Sequence, residues 1–556
     1  MLRVAEHGDV LAVKHLHLVA VQTLVGNHAS FPSIVTVHFW PASDARKGTC
    51  SFVASTHCRT SRRMTSDLIS RWQASPTVES EAGWRLDLTF AGIHGMPYAP
   101  YNGVGPVPGG SGGGYCPHQQ ALGDEVRRLA LEYTNDNAYA YQEASEKLRL
   151  PYWDWASDPT LPSSSTRENI AVNGPDGQIV LHNPLYNYRW QTYPLNATQF
   201  PGQGDMGPAT TRGQDRNPQD MKDFIRDSVY RTFSSTTIYD QMASMAGSGS
   251  SFESPHNAIH NSVGGSFLSL DLTSFDSLFF LVHCNLDRLA AMWAASHNDN
   301  TVQTQSFTSQ GLYSTAQGET ITADSPLKPF YQADGRTFHT GRTVATVEAF
   351  GYTYPDLLGE NQGRTKDIIA RINGLYGNIL EIENWTAAPT KRDWFVDIQV
   401  DRADLPLPCS INVYLGDQLA GQTLLLSMPK TGIAHDELLL PQSTHRLEFR
   451  DDKPRDVERR LMNGLHVKVA KVCDGQLNVV SKLGDTTLDP RDIPSLHIKV
   501  VAEYFTPPTS KSEFPSYSNR TTLMIVFEAA SHALPVGTYS HDTPSASIGR
   551  KWTAWL

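Results

Sequence analysis

No run in these 556 residues approaches the roughly 20 consecutive apolar positions that a membrane-crossing helix needs, and no membrane association is expected. Cysteine is scarce: Cys50, Cys58, Cys116, Cys284, Cys409 and Cys473 are spread too thinly to form a disulfide scaffold. Positive charge is in deficit, with 46 Lys and Arg against 57 Asp and Glu. The resulting net charge of −11 argues against a general nucleic-acid binder, whose phosphate contacts require clustered cations. The Gly-rich stretch Gly103 to Gly114 lacks the GK[ST] ending of a phosphate cradle and reads as a flexible connector. Residues 11–26 are apolar in places, but Lys14, His15 and His17 interrupt them and no cleavage site follows. The expected location is therefore cytoplasmic or otherwise intracellular.

What is present is an ordinary globular composition, 40% hydrophobic and 19% charged, with room for a large core and a second domain. The chemistry is most legible in Glu253 to Trp293. His256 and His260 stand one helical turn apart, so both imidazoles leave the same face and can reach one metal ion. Ser254 and Pro255 read as an N-cap and a first-turn proline, and Gly264-Gly265 as the stop. A second helix is predicted from near Asp276, with Val282, Leu286, Leu289 and Trp293 at helical spacing and His283 beside them. Three neutral nitrogen ligands suit copper, zinc or iron without choosing among them. A zinc protease of the HExxH type is disfavoured, because Asn257 stands where its general-base Glu would be. Taken alone, the HxxxH pair reads more readily as two satisfied histidines on a helix than as a metal site.

The segment that follows shifts that balance. His256-x3-His260, then Phe275-Asp276 and His283-x3-Asp287-Arg288, resembles the second copper site of the tyrosinases, the type 3 copper polyphenol oxidases. Ser277 and Val282 depart from the family's usual proline and non-ligand histidine, while the ligand position His283 is intact. The resemblance begins at WRLDLTFAGIHGMPYAPYNGV (84–104) and places His94 at the first ligand of the first copper site. Cys116-Pro117-His118 matches the C-x-H of fungal tyrosinases, which implies His118 as a ligand and a Cys116–His118 thioether. A third ligand of that site is expected about nine residues later. Here the chain runs from His118 straight into QQALGDEVRRLALEY, as though a segment were missing. The family pattern resumes at Pro151-Tyr152-Trp153-Asp154-Trp155, read as core packing, and closes at Phe350-Gly351-Tyr352-Thr353-Tyr354-Pro355. His182, in between, reads as structural.

From Trp394 the pattern turns to alternating strands: WFVDIQVD, SINVYLGD, HRLEFRDD, LHVKVAKV, LHIKVVAEYF and TTLMIVFE. The expected organisation is an unassigned region 1–83, a dicopper core 84–355, a linker 356–393, a β-rich domain 394–530 and an unassigned tail 531–556. By resemblance the core is a mainly α antiparallel four-helix bundle with long loops. The β-rich domain resembles the part that covers the active site in latent fungal enzymes.

The resemblance implies two copper ions, the first weakly held or absent if the gap is real. It implies phenols and dioxygen as reactants: o-hydroxylation of monophenols and oxidation of catechols to o-quinones, feeding melanin-type pigment. Glu253 and Asn257 fall where the family holds a water that serves as base, a task that a carboxylate with an amide partner can perform. Glu253 equally complements the positive end of a short helix. Phe279 is placed to stack on a ligand imidazole, and Leu270 lies near a gate position. Three alternatives stay open: a catechol oxidase without hydroxylase activity, a member impaired by an incomplete first site, and an oxygen carrier of the haemocyanin kind. The oligomeric state is not legible.

Overall fold

The computed structural model describes residues 34–36, 38–39, 94–98, 100–101, 103–107, 118–190, 192–203, 206–213, 217–297, 301–309, 311–358, 364–377, 391–440, 454–471 and 487–528. Most of the region 1–83, Cys116, the side chain of His118 and the tail 531–556 lie outside the described residues.

Seven helices of the described residues lie between His118 and Tyr376. Helices α1 (His118–Ala130), α2 (Ala138–Lys147), α3 (Lys222–Ser235), α4 (Tyr239–Ala243), α5 (Glu253–Val263), α6 (Leu278–Ser296) and α7 (Arg364–Tyr376) surround one apolar cluster. Val126, Ile225, Phe233, Ile259, Val282, Leu289, Trp293 and Ile372 meet in it. The stripe read along α6 thus faces the core, as a 3.6-residue period requires. Within the span expected as a linker, α7 buries Ile368, Ile372 and Tyr376 and packs on α6 and α3 as part of the core.

The PYWDW motif earns its place by gripping α6. Its strand β3 (Pro151–Trp153) pairs with β1 (Ile34–Thr36), and Trp155 donates its indole N–H to the Val282 carbonyl at 3.1 Å. Asp154 lies 3.1 Å from Arg288, which also meets Asp356 at 2.6 Å, the Tyr376 hydroxyl at 3.0 Å and the Tyr152 ring face. The hydroxyls of Tyr352 and Tyr354, from the FGYTYP segment, both donate to Asp287. The aromatic motifs therefore fix the helix that carries His283.

The described residues between Lys391 and Glu528 form a β domain of two four-stranded antiparallel sheets. One has the order β11 (Gln418–Leu425), β10 (Cys409–Leu415), β13 (Leu465–Lys471), β14 (Thr487–Leu488). The other runs β12 (Ile433–Leu440), β9 (Lys391–Asp401), β15 (His497–Thr506), β16 (Ser516–Glu528). Val396, Ile398, Ile411, Val413, Val469 and Val500 from both sheets share one core, joined by Val457 and Leu461 of α8 (Pro454–Gly464). Four of the expected strands correspond to β9, β10, β13 and β15, and TTLMIVFE to the end of β16; HRLEFRDD lies outside the described residues. Alternation did not reveal β11, which carries Gly421, or β12, where Asp436 and Glu437 are buried.

The β domain is docked on the helices. Leu424 of β11 belongs to the helical core's own cluster. Buried Arg231 of α3 meets Glu437 at 2.7 Å and Glu503 at 2.5 Å, and its guanidinium lies over the rings of Phe395 and Tyr517.

Candidate metal centre

Helix α5 begins at Glu253, and Pro255 in its first turn has no N–H to leave unpaired. Ser254 is not the cap. It sits inside the helix with its hydroxyl donating to Asp436 of β12 at 2.8 Å, and Phe252 occupies the cap position. The C-terminus is as expected: Gly264 adopts φ 68° and returns its N–H to the His260 carbonyl at 3.0 Å. Gly265 is required for space as well, since a Cβ there would stand 2.2 Å from the Thr211 carbonyl oxygen. The chain then passes through Asp276, which Arg212 holds at 2.7 Å and whose carboxylate accepts the Leu278 N–H at 3.0 Å as α6 begins.

The two helices bring His256, His260 and His283 together, with one ring nitrogen from each within 4.8 Å of the others. The Nδ1 of His260 meets the Phe267 carbonyl at 2.8 Å, and that of His283 meets the Phe279 carbonyl at 2.8 Å. A carbonyl only accepts, so both rings carry their proton on Nδ1. His256 follows the same logic. The Asn257 amide N–H donates to the Leu424 carbonyl at 3.1 Å, which turns its Oδ1 toward His256 Nδ1, 3.1 Å away. Each Nε2 is then a bare lone pair. Those of His256 and His283 face each other at 3.1 Å, and that of His260 is buried without a partner. Facing lone pairs are unfavourable unless a cation sits between them, and the donor set fits a metal that accepts imidazole.

Electrostatics agree. Burial, followed by the mutual repulsion of the rings, holds His256 well below the usual histidine value and His283 at about 3. Burial brings His260 to about 4 despite its bond to Phe267. The three are neutral near pH 7, the state a metal ligand requires.

Phe279 lies tilted against His283 with centroids 3.9 Å apart and approaches His94 edge-on at 4.8 Å. His94 is thus across one phenyl ring from the triad without belonging to it. Its Nδ1 is buried without a partner, and burial followed by His260 lowers its pKa to about 4. Its loop is latched to the segment between α5 and α6: Met96 N–H donates to the Asp271 carbonyl at 2.9 Å, and the Tyr98 hydroxyl donates to the Asp271 carboxylate. Leu270, beside Asp271, is buried. His118 opens α1, and His182 bonds to the Asn187 carbonyl at 3.2 Å in a hairpin of β4 (Asn169–Gly174) and β5 (Gly177–His182).

Glu253 and Asn257 are both engaged by the β domain. Glu253 Oε1 accepts from Arg402 at 2.9 Å, and Oε2 accepts from the Met245 N–H at 2.8 Å and the Ser244 hydroxyl at 3.0 Å. Arg402 and Leu424 lie 149 and 167 residues from their partners, and no local pattern announces either.

Two packed helices presenting neutral imidazoles define a candidate histidine metal site. Residues 88–296 match the family model described as the common central domain of tyrosinase. A tyrosinase of Podospora anserina is 32% identical over 318 residues, covering 48% of this chain and 55% of that protein. A Neurospora crassa tyrosinase is 29% identical over 343 residues, covering 52% and 50% respectively. The chain spans about half the length of these curated relatives. Recombinant mushroom tyrosinase shares the fold, with a TM-score of 0.64 at 20% identity over 79% of this chain and 91% of that one.

Proposed function

We propose that the chain is a copper-dependent tyrosinase that o-hydroxylates monophenols and oxidises catechols to o-quinones with dioxygen. The observation that carries this reading is the convergence of three Nδ1-protonated imidazoles whose Nε2 lone pairs meet. His256, His260 and His283 would hold one copper, with His94 and His118 contributing to a second. When bound, such a pair supplies the redox chemistry with dioxygen that converts phenols to quinones.

The chain's own residues do the rest. Phe279 packs on His283 and approaches His94, keeping the two half-sites in register. Glu253 would take the phenol's proton through a water that Asn257 helps to orient, which is the step a catechol does not need. Cys116 would restrain His118 through a thioether. Helices α1, α5 and α6 would be three members of a four-helix bundle, a reading supported by their shared apolar cluster. The β domain would keep the enzyme latent, and the product quinones suit melanin-type pigment.

Copper per chain and L-DOPA oxidation on copper-reconstituted protein test the reading together. Two ions with turnover are expected. A chain carrying two ions and inert towards every catechol would overturn it. A single ion would favour the impaired alternative, which the absence of a third family-like ligand after His118 supports.

A further inference from the structure

The β domain touches α5 at few polar points, and two of them are Glu253 and Asn257. Arg402 sits in a 3-10 turn (Arg402–Asp404) directly after β9, its side chain almost entirely buried, and its guanidinium meets Glu253 at 2.9 Å. The other carboxylate oxygen is already taken by Met245 N–H and Ser244. Asn257 is occupied on both sides, by Leu424 and by His256. Arg402 is itself anchored within its own domain, its N–H donating to the Gly432 carbonyl at 3.0 Å.

We propose that the β domain restrains the site through a polar clamp, in which Arg402 neutralises Glu253 and the Leu424 carbonyl captures the Asn257 amide, so that phenol hydroxylation is silenced separately from any steric cover. This rests on the tyrosinase reading and gives its regulation a residue. With Oε1 held by Arg402 and Oε2 by the Met245 N–H and the Ser244 hydroxyl, both carboxylate oxygens are engaged, and the group is not free to orient a water toward a substrate. Catechols bring a second hydroxyl and depend less on the base. Steric cover would suppress both reactions alike, whereas the clamp suppresses hydroxylation more.

Arg402→Met in the full chain therefore should raise the ratio of L-tyrosine hydroxylation to L-DOPA oxidation about tenfold. Arg231→Met is the control: it loosens the same domain through Glu437 and Glu503 without touching Glu253. A ratio that stays constant in the Arg402 variant, or that rises equally in both, overturns the clamp. A second readout needs no turnover. In metal-free protein, a double-mutant cycle of Glu253→Gln and Arg402→Met should give strongly non-additive Tm losses, together with faster amide exchange at Met245 in either single variant. Additive losses with unchanged exchange also overturn it. If the copper-loaded chain is inert to all phenols while the metal-free coupling is present, the tyrosinase reading fails and the Arg402–Glu253 contact stands as a purely structural lock, which overturns the regulatory claim.

Discussion

At the scale of single residues, the sequence reveals the clustered histidines better than it reveals what holds them. His256, His260 and His283 are legible because helix geometry alone aligns the first two and a motif supplies the third. Gly95 is a different case. It lies beside His94, and a Cβ there would stand 2.3 Å from the Asp271 carbonyl oxygen and 2.7 Å from its carbon, both backbone atoms. Backbone cannot rotate away as a side-chain tip can, so Gly95→Ala should lift the His94 loop off the 270–271 segment. The expected cost is about 1–3 kcal/mol, in the range of other overpacked sites. Denaturant unfolding should register that loss, and copper per chain should fall while the α5–α6 triad retains its ion. Undiminished stability together with unchanged copper content would mean that this close approach is not needed. The partner of Gly95 lies far along the chain, which is why its role could not be read from the sequence.

Elements were legible where their period or punctuation is local. The stripe on α6 and the Gly264 stop on α5 are of that kind. Ser254 was misread because a serine before a helical proline has the form of a cap, and only the three-dimensional fold offers its hydroxyl a better acceptor in Asp436. β12 was missed because adjacent Asp436 and Glu437, one on each face of the strand, are both buried beside leucines, which erases the polar–apolar alternation. The aromatic motifs were read as packing, and their polar half emerges only around Arg288. That side chain joins α6 to Asp154, Asp356 and Tyr376, and its partners hold its pKa well above the ordinary arginine value despite burial. Arg288→Met would leave Asp154 without its cation and Asp356 with Arg371 alone. Breaking one side of a buried pair costs about 3–5 kcal/mol. Chemical denaturation should show a loss of that size. A loss below about 1 kcal/mol, the range of exposed pairs, would show that the network is replaceable.

On the scale of the whole molecule, the two halves meet through buried charge, and one group makes that junction sensitive to pH. Asp436 on β12 accepts from Ser254 of α5 and from Thr423 of β11, each at 2.8 Å. Burial, only partly offset by these hydrogen bonds, raises its pKa from 3.8 to about 6, and the neighbouring Glu437 carboxylate pushes in the same direction. A carboxyl whose folded pKa is raised favours the folded state in its protonated form. Its contribution is full below about pH 4, the unfolded value, and is lost as pH rises through about 6. A rise of two units corresponds to about 3 kcal/mol. The acidic partners of Arg231 cannot supply this trend, because their guanidinium remains charged throughout the window. Asp436→Asn keeps an acceptor for both hydroxyls and cannot ionise. Its stability relative to the unsubstituted chain should therefore climb between pH 4 and pH 7, by up to about 3 kcal/mol. Other titrating groups are common to both proteins and cancel in the difference. Denaturant midpoints measured on both chains across that window read the trend directly. Parallel curves would mean that Asp436 is ionised in the folded protein at every pH tested, and that the docked β domain tolerates its charge without penalty.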